Sequence, residues 1–354
     1  MKGDGAFDPT EQRSEGAVRR RSRLRIAGAA LAVAVVACGI AIGVGLSSGD
    51  SGNRSQAISL QPAPDDGWRW DFYRDVRIEV PDSWDYASEP RSDWCVDNGK
   101  WLPDEPYIDL TAGEFVFGIG CPSTNGKPGM SDEPPTERWV PHVRLTALGA
   151  PDTASVSRLN GWWIVKQPVG HVLVKAVGEN RAEVDRILSS ATVVDDDSSG
   201  CAPHSPLQDS AFPSPDPAFD VAELTSVDSI TVCSYELTPS EPGLLGVYEL
   251  TGDDAMTELH ALQAAPIGGG PDRPNDCGPD DPGDDALQLR LASGAEVDTM
   301  YVFYSSCHDN GFDDGTNVRE LTKDACVPLV HAPVTLTTGA SASFERCFSR
   351  SSDG

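Results

Sequence analysis

Asp309, Asn310, Asp313 and Asp314 bring four oxygen-bearing side chains into a six-residue turn broken by Gly311 and preceded by Cys307. Hard carboxylate and amide oxygens on a glycine turn pinned by a cysteine are the donor set that calcium takes. Asp309, Asp313 and Asp314 are therefore the candidate metal ligands. Their spacing departs from that of an EF-hand loop, and Asp-Asn-Gly is also ordinary turn chemistry. A second candidate lies upstream, where Trp94 and Trp101 flank Cys95 and an Asn98-Gly99 turn. Flat aromatic faces are enriched at binding surfaces, so these two are candidate ligand contacts for a sugar or a peptide. The competing use of such side chains is bulky core, which is how Trp84, Trp162 and Trp163 are read.

Other chemistry is conspicuous by omission. The sequence holds no SxxK and no HExxH, and its one GxSxG match, Gly45 to Gly49, closes the uncharged N-terminal run instead of following a strand and opening a helix, so it does not read as the nucleophile turn of a serine hydrolase. His142, His171, His204, His260, His308 and His331 are scattered without ligand spacing. No glycine-rich loop between a strand and a helix offers a phosphate cradle, and no cofactor is expected. These patterns favour binding over catalysis, with a hydrolase assembled from distant residues as the alternative.

Positioning such residues outside a cell requires an exported, oxidised framework. Ile26–Leu46 carries no charge over 21 residues and follows Arg19, Arg20, Arg21, Arg23 and Arg25. Twenty-one helical residues reach about 31 Å, the thickness of a bilayer's hydrocarbon core. The arginine excess before it places the N-terminus in the cytoplasm and the remainder outside. Residues 1–23 are then a cytoplasmic stub and 24–46 a single-pass anchor. A cleaved signal, or lipidation at Cys38 after Val35, Val36 and Ala37, is the rival reading with the same outward orientation.

Charge follows the same division. Through Leu46 there are seven basic and four acidic residues, which leaves 20 basic and 51 acidic beyond it. So negative a surface disfavours nucleic acid as a partner. Of nine cysteines, eight lie beyond the anchor: Cys95, Cys121, Cys201, Cys233, Cys277, Cys307, Cys326 and Cys347. An even number in an oxidising space reads as disulfides, and the lack of any CxxC pair argues against zinc ribbons and thioredoxin chemistry. A boundary near Asp196 isolates Cys95 with Cys121 and leaves the pairing of the other six open.

The chain then divides by composition. Residues 47–67 are a Ser/Gly/Asp/Pro tether. Residues 68–195 hold all eight tryptophans and form a first ectodomain. In it Val76, Ile78 and Val80 alternate with charges as a half-buried strand ended by Pro81. Strands are also predicted at Glu114–Gly120 and Val140–Leu148. A meander follows over Ser155–Leu159, an Asn160-Gly161 turn, Trp162–Gln167, a turn at Pro168-Val169-Gly170, and His171–Val177. Asn180 caps a helix that buries Val184, Ile187, Leu188 and Ala191, with Glu183 in capping-box position, and Thr192–Val194 returns as a strand.

Residues 196–220, which open inside the Asp195-Asp196-Asp197 run and hold five prolines, read as a linker whose start Cys201 ties to a folded neighbour. Residues 221–348 form a second ectodomain, and 349–354 a tail. Strands are predicted at Ser229–Leu237, Leu244–Leu250, over Leu287, Leu289 and Leu291, and at Met300–Ser305. A helix spans Asp253–Ala265, burying Ala255, Met256, Leu259 and Leu262, and Thr322 starts a short one before Pro328. The fold class is α+β.

The strand leading into Pro81-Asp82-Ser83-Trp84, the meander, the late helix and the final strand together resemble the PsbP-like domains of small actinobacterial lipoproteins over residues 68–195. That resemblance implies a non-catalytic accessory or ligand-binding module and carries no site residue across. The second ectodomain, with Cys-His-Asp-Asn-Gly and Asp-Asp-Gly-Thr late in its strand and helix order, is similar to a domain common in exported actinobacterial proteins and implies no activity. The sequence thus reads as a cell-membrane protein with its C-terminal part extracellular, binding a ligand or protein of the envelope.

Overall fold

Alternation is the first thing the chain converts into structure. In the computed structural model, Val76, Ile78 and Val80 are wholly buried while Arg77 and Glu79 are not, as a strand with one covered face requires. The structure describes residues 64–90, 94, 95, 99, 102–110, 121, 122, 130, 131, 133–149, 152–195, 200–207, 213–237, 243–272 and 283–335, all within the unit Ile58–Gly354. The expected anchor Ile26–Leu46 and strand Glu114–Gly120 lie outside these residues. Among the described residues no helix is long and apolar enough to cross a membrane.

In chain order the strands of the first half are β1 (Trp68–Tyr73), β2 (Val76–Pro81), β3 (Asp85–Tyr86), β4 (Tyr107–Asp109), β5 (Cys121–Pro122), β6 (Met130–Ser131), β7 (His142–Ala147), β8 (Ser155–Leu159), β9 (Trp162–Val169) and β10 (Val172–Gly178), followed by helix α1 (Arg181–Ser190) and β11 (Thr192–Val193). They build a three-stranded sheet β1-β2-β11 and a six-stranded sheet β3-β4-β7-β10-β9-β8, with β5 and β6 as a separate pair. Helix α1 packs over β2, β9 and β10 and drives Val184, Ile187 and Leu188 into a core with Val76, Ile78, Val80, Val143, Leu145, Val174 and Ala176. Asn180 starts it by accepting the Ala182 amide at 3.1 Å.

The Asn160-Gly161 turn forms as expected, with φ of 47° and 98°, the left-handed pair that a two-residue hairpin demands. The next turn differs from expectation. β9 runs on through Pro168 and Val169, paired with Leu173 and Val172, and the reversal falls at Gly170, whose φ is 52°. Proline at the end of a strand only forgoes its own donor, so it does not force the turn.

The second half contributes β12 (Ser229–Glu236), β13 (Gly243–Thr251), helix α2 (Gly252–Ala264), β14 (Asp285–Ser293), β15 (Glu296–Phe303), β16 (Gly311–Asp313), β17 (Val318–Arg319) and the short helix α3 (Lys323–Cys326). Its sheet has the order β13-β12-β14-β15-β16-β17. One face packs Ile230, Val232, Leu287, Leu289, Leu291, Met300 and Val302 under Ala255, Leu259 and Leu262 of α2. The other face packs Cys233, Tyr235, Leu244 and Phe303 against Phe72 of β1. A further bond joins the halves where the Arg74 amide donates to Leu244 O at 2.7 Å.

Within the stretch 196–220, Cys201, Ser205 and Leu207 are buried. Disulfides join Cys95 to Cys121, the pair that the cysteine partition isolates, and Cys201 to Cys233. Cys307 and Cys326 are also disulfide-bonded, while Cys277 and Cys347 lie outside the described residues. The architecture is mixed α+β.

Candidate functional site

The residues singled out in the sequence have separate fates. Trp94 is half-buried in a turn beside Cys95, whereas Trp101 lies outside the described residues. Asp309 is exposed at a φ of 56°. Asp314 is fully buried and accepts the amides of Val221, Thr316 and Asn317 at 3.0, 2.9 and 2.7 Å. Asp313 accepts Ser214 Oγ at 3.0 Å and the Gly315 amide at 2.8 Å. Asn310 is tied to Ser306 and Asp272. Among the described residues no three histidine, cysteine or acidic side chains converge as a metal site would need.

Several other tryptophans lie under cations: Trp68 under Arg186, Trp70 under Arg77, and Trp163 under Arg158 and Arg181, at 3.7 to 5.0 Å from guanidinium to ring centre. Trp84 and Trp162 are buried, the core use expected of them.

A denser constellation forms on the six-stranded sheet. Register places Tyr107 of β4 beside His142 of β7, and His142 beside Val177 of β10. Two residues along, Asp109 pairs with Arg144 and Arg144 with Lys175. Side chains two apart on a strand share a face, so these rows stand together on the side opposite Ile108, Val143, Leu145, Val174 and Ala176. Glu89, in the loop after β3, lies over them. Its Oε2 accepts from Arg144 Nη1 at 2.8 Å, its Oε1 accepts from Lys175 Nζ, and His142 Nε2 stands 3.5 Å from Oε1.

Asp109 orients this group from the next row. Its Oδ2 accepts the Glu89 amide at 2.9 Å and lies 3.3 Å from Arg144 Nε. Burial alone would raise the Glu89 pKa, but His142 and Lys175 outweigh it and hold the carboxyl well below the usual range. Tyr107 shifts the other way: burial, then the charges of Glu89 and Asp109, push its hydroxyl far up. Its ring stacks on His142 with centroids 4.9 Å apart and planes 9° apart. The centre therefore holds a fixed carboxylate and a neutral phenol, each poorly suited to take or give a proton near neutrality.

Above this floor lies a cavity walled by Pro103, Pro134, Trp139, Val140 and Val177. Its interior volume is about 30 Å³, and with its mouth it spans about 400 Å³; the interior has room for one or two waters. Trp139 is set by its indole N–H donating to Pro134 O at 2.9 Å and by an edge-on contact with Trp162 at 5.9 Å. His142 Nδ1 lies 2.9 Å from Val140 O, which can only accept. His142 Nε2 is buried and faces Glu89 Oε1. Apolar walls over a few converging polar groups are the usual composition of a small-molecule site.

A second histidine contact is of another kind. His171 Nδ1 bonds Asp75 Oδ2 at 2.9 Å, and the His171 amide bonds Asp75 Oδ1 at 3.1 Å. A Cβ on Gly170 would fall 2.4 Å from Asp75 Oδ2, so the β9–β10 turn is clasped tightly onto the β1–β2 turn. The imidazole is 79% exposed.

The centre over β4, β7 and β10 is absent from the sequence reading because its members are far apart in the chain and paired only by the sheet. The available signal was alternation: His142 and Arg144 interleave with Val143 and Leu145, and Lys175 sits between Val174 and Ala176. Comparisons with protein-family models, with curated proteins and with solved structures found no match.

Proposed function

We propose that this chain is a membrane-anchored, extracytoplasmic binding protein, and that the cavity over Glu89, His142 and Lys175 is where it takes its ligand at the cell envelope. The observation that carries the reading is a cavity walled by Pro103, Pro134, Trp139, Val140 and Val177 with Glu89, His142 and Lys175 brought together at its floor, apolar walls over a few converging polar groups being the usual composition of a ligand site. The uncharged run behind five arginines, the acidic balance and the disulfides support the outward, anchored arrangement.

Binding is favoured over hydrolysis because Glu89, a carboxylate lining the cavity, is committed to Arg144 and Lys175. Two measurements test the proposal together. A membrane-impermeant reagent on intact cells should label the Gly354 end, and a fragment set screened by NMR against the full-length protein should shift the Trp139 indole N–H, assigned with Trp139→Phe. A shielded C-terminus would overturn the topology; a fragment set that leaves Trp139 unmoved would overturn the site.

A further inference from the structure

We infer that the group this cavity takes is an uncharged aromatic ring of a small molecule, entering with a short alkyl tip, an inference that rests on the binding reading above. The polar side chains at the floor are committed to one another and to the backbone. Glu89 holds Arg144 through Oε2 and Lys175 through Oε1, and His142 Nε2 faces that same Oε1 at 3.5 Å. His142 Nδ1 lies 2.9 Å from Val140 O, and the Trp139 indole N–H is given to Pro134 O. Charge is balanced as well. The charged residues lining the cavity are Glu89, Glu133, Arg138 and Lys175, two of each sign, and beneath them Asp109 lies 3.3 Å from Arg144. An entering ion therefore meets no unmatched charge.

What remains to hold a ligand is apolar surface. Pro90, Pro103, Pro134, Val140, Val177 and the Trp139 ring supply it, and an aromatic ring against Trp139 gains more than its buried area alone. The interior of about 30 Å³ has the size of a methyl group, and the mouth, bringing the space to about 400 Å³, accepts the ring. A water in that interior finds its polar neighbours already engaged, so an apolar group that displaces it gains affinity. Polar ligands fit less well. A carboxylate would have to draw Lys175 or Arg144 away from Glu89, and an ammonium would have to compete with both of them for it. A sugar would give up water at hydroxyls that then face proline and valine.

The test is calorimetric titration of the full-length protein with 4-methylbenzyl alcohol, its acid and amine counterparts 4-methylbenzoate and 4-methylbenzylamine, benzyl alcohol and methyl glucoside. The expected result is that 4-methylbenzyl alcohol binds tenfold or more tightly than the acid, the amine and the glucoside, and about fourfold more tightly than benzyl alcohol, the increment of one buried methyl. Its binding should carry a negative heat-capacity change, hold the same affinity at low and high salt, and weaken tenfold or more in Trp139→Ala. The comparison of probes needs no variant to fold. An acid, amine or glucoside that binds as tightly as the neutral aromatic overturns the ligand class and leaves the site standing. So does failure of all five probes while the fragment set still shifts Trp139. Equal affinity for 4-methylbenzyl alcohol and benzyl alcohol overturns the placement of the alkyl tip. Failure of every probe, with Trp139 also unmoved by the fragment set, removes the site itself.

Discussion

Arg144 and Lys175 stand directly opposite each other on β7 and β10. Like charges on one rung of a ladder repel, and elsewhere such a pair destabilises a sheet. Here Glu89 accepts from both, Arg144 through Oε2 and Lys175 through Oε1. One carboxylate from an irregular loop thus makes the pairing of these strands possible and fixes the cavity floor.

Removing that carboxylate should therefore cost more than an ordinary surface ion pair. Glu89→Gln is expected to destabilise by about 2 to 4 kcal/mol, since two cations are left facing each other in a largely buried site. Urea unfolding at neutral pH reads the effect, with Glu133→Gln at the cavity rim as the milder comparison.

The same residue sets an acid limb. The Glu89 pKa is lowered in the folded state, so its stabilisation is full above the unfolded glutamate range, near pH 4.5. That stabilisation is lost progressively as pH falls further. Wild-type stability should fall on acidification below that point, and Glu89→Gln should flatten this part of the profile.

Glu258 sets an opposite, alkaline limb. It lies fully buried on the sheet side of α2, neither carboxylate oxygen has a hydrogen-bond partner among the described residues, and burial pushes its pKa up to about 8. A raised carboxyl pKa means stability is greatest below the unfolded value and is lost as pH rises to about 8. Glu258→Leu should remove this slope and stabilise the protein at pH 9 by on the order of 3 to 5 kcal/mol. A denaturation series from pH 5 to 9 checks both.

Arg74 joins the halves of the fold, its Nη2 lying 2.7 Å from Glu236 Oε2, and its backbone adopts a φ of 52°. Arg74→Ala and Arg74→Gly lose the same ion pair, but only alanine pays for a left-handed backbone. The glycine variant should be more stable than the alanine variant by about 1 kcal/mol, which thermal or urea unfolding resolves.

Cys201 and Cys233, 32 residues apart, close the inter-sheet core around Phe72 and Tyr235. Replacing both with alanine should cost about 3 to 4 kcal/mol by loop-closure entropy. Unfolding with and without reductant measures it.

How much of this was legible follows from whether the causes are local. The β2 alternation, the Asn160-Gly161 turn, the Asn180 cap and the apolar face of α2 are each set by residues a few positions apart, and the chain states them openly. Glu258 was not, because a glutamate at a helical core position reads as surface until the opposing sheet covers it. The binding floor was hidden for a stronger reason. Glu89, Asp109, Arg144 and Lys175 meet only through a parallel β4–β7 pairing and an antiparallel β7–β10 pairing, and no spacing along the chain encodes such a register. Asp313 and Asp314 illustrate the converse. Side chains suited to calcium by type are occupied by neighbouring amides and by Ser214.

The most direct test of the binding account is nitrogen NMR of imidazole-labelled full-length protein, with the His142 signals assigned through His142→Phe. When a compound that shifts the Trp139 indole is added, the account expects the ring-nitrogen resonances of His142, which lines the same cavity, to move with it. His142 resonances that do not respond to any compound bound at Trp139 would contradict it.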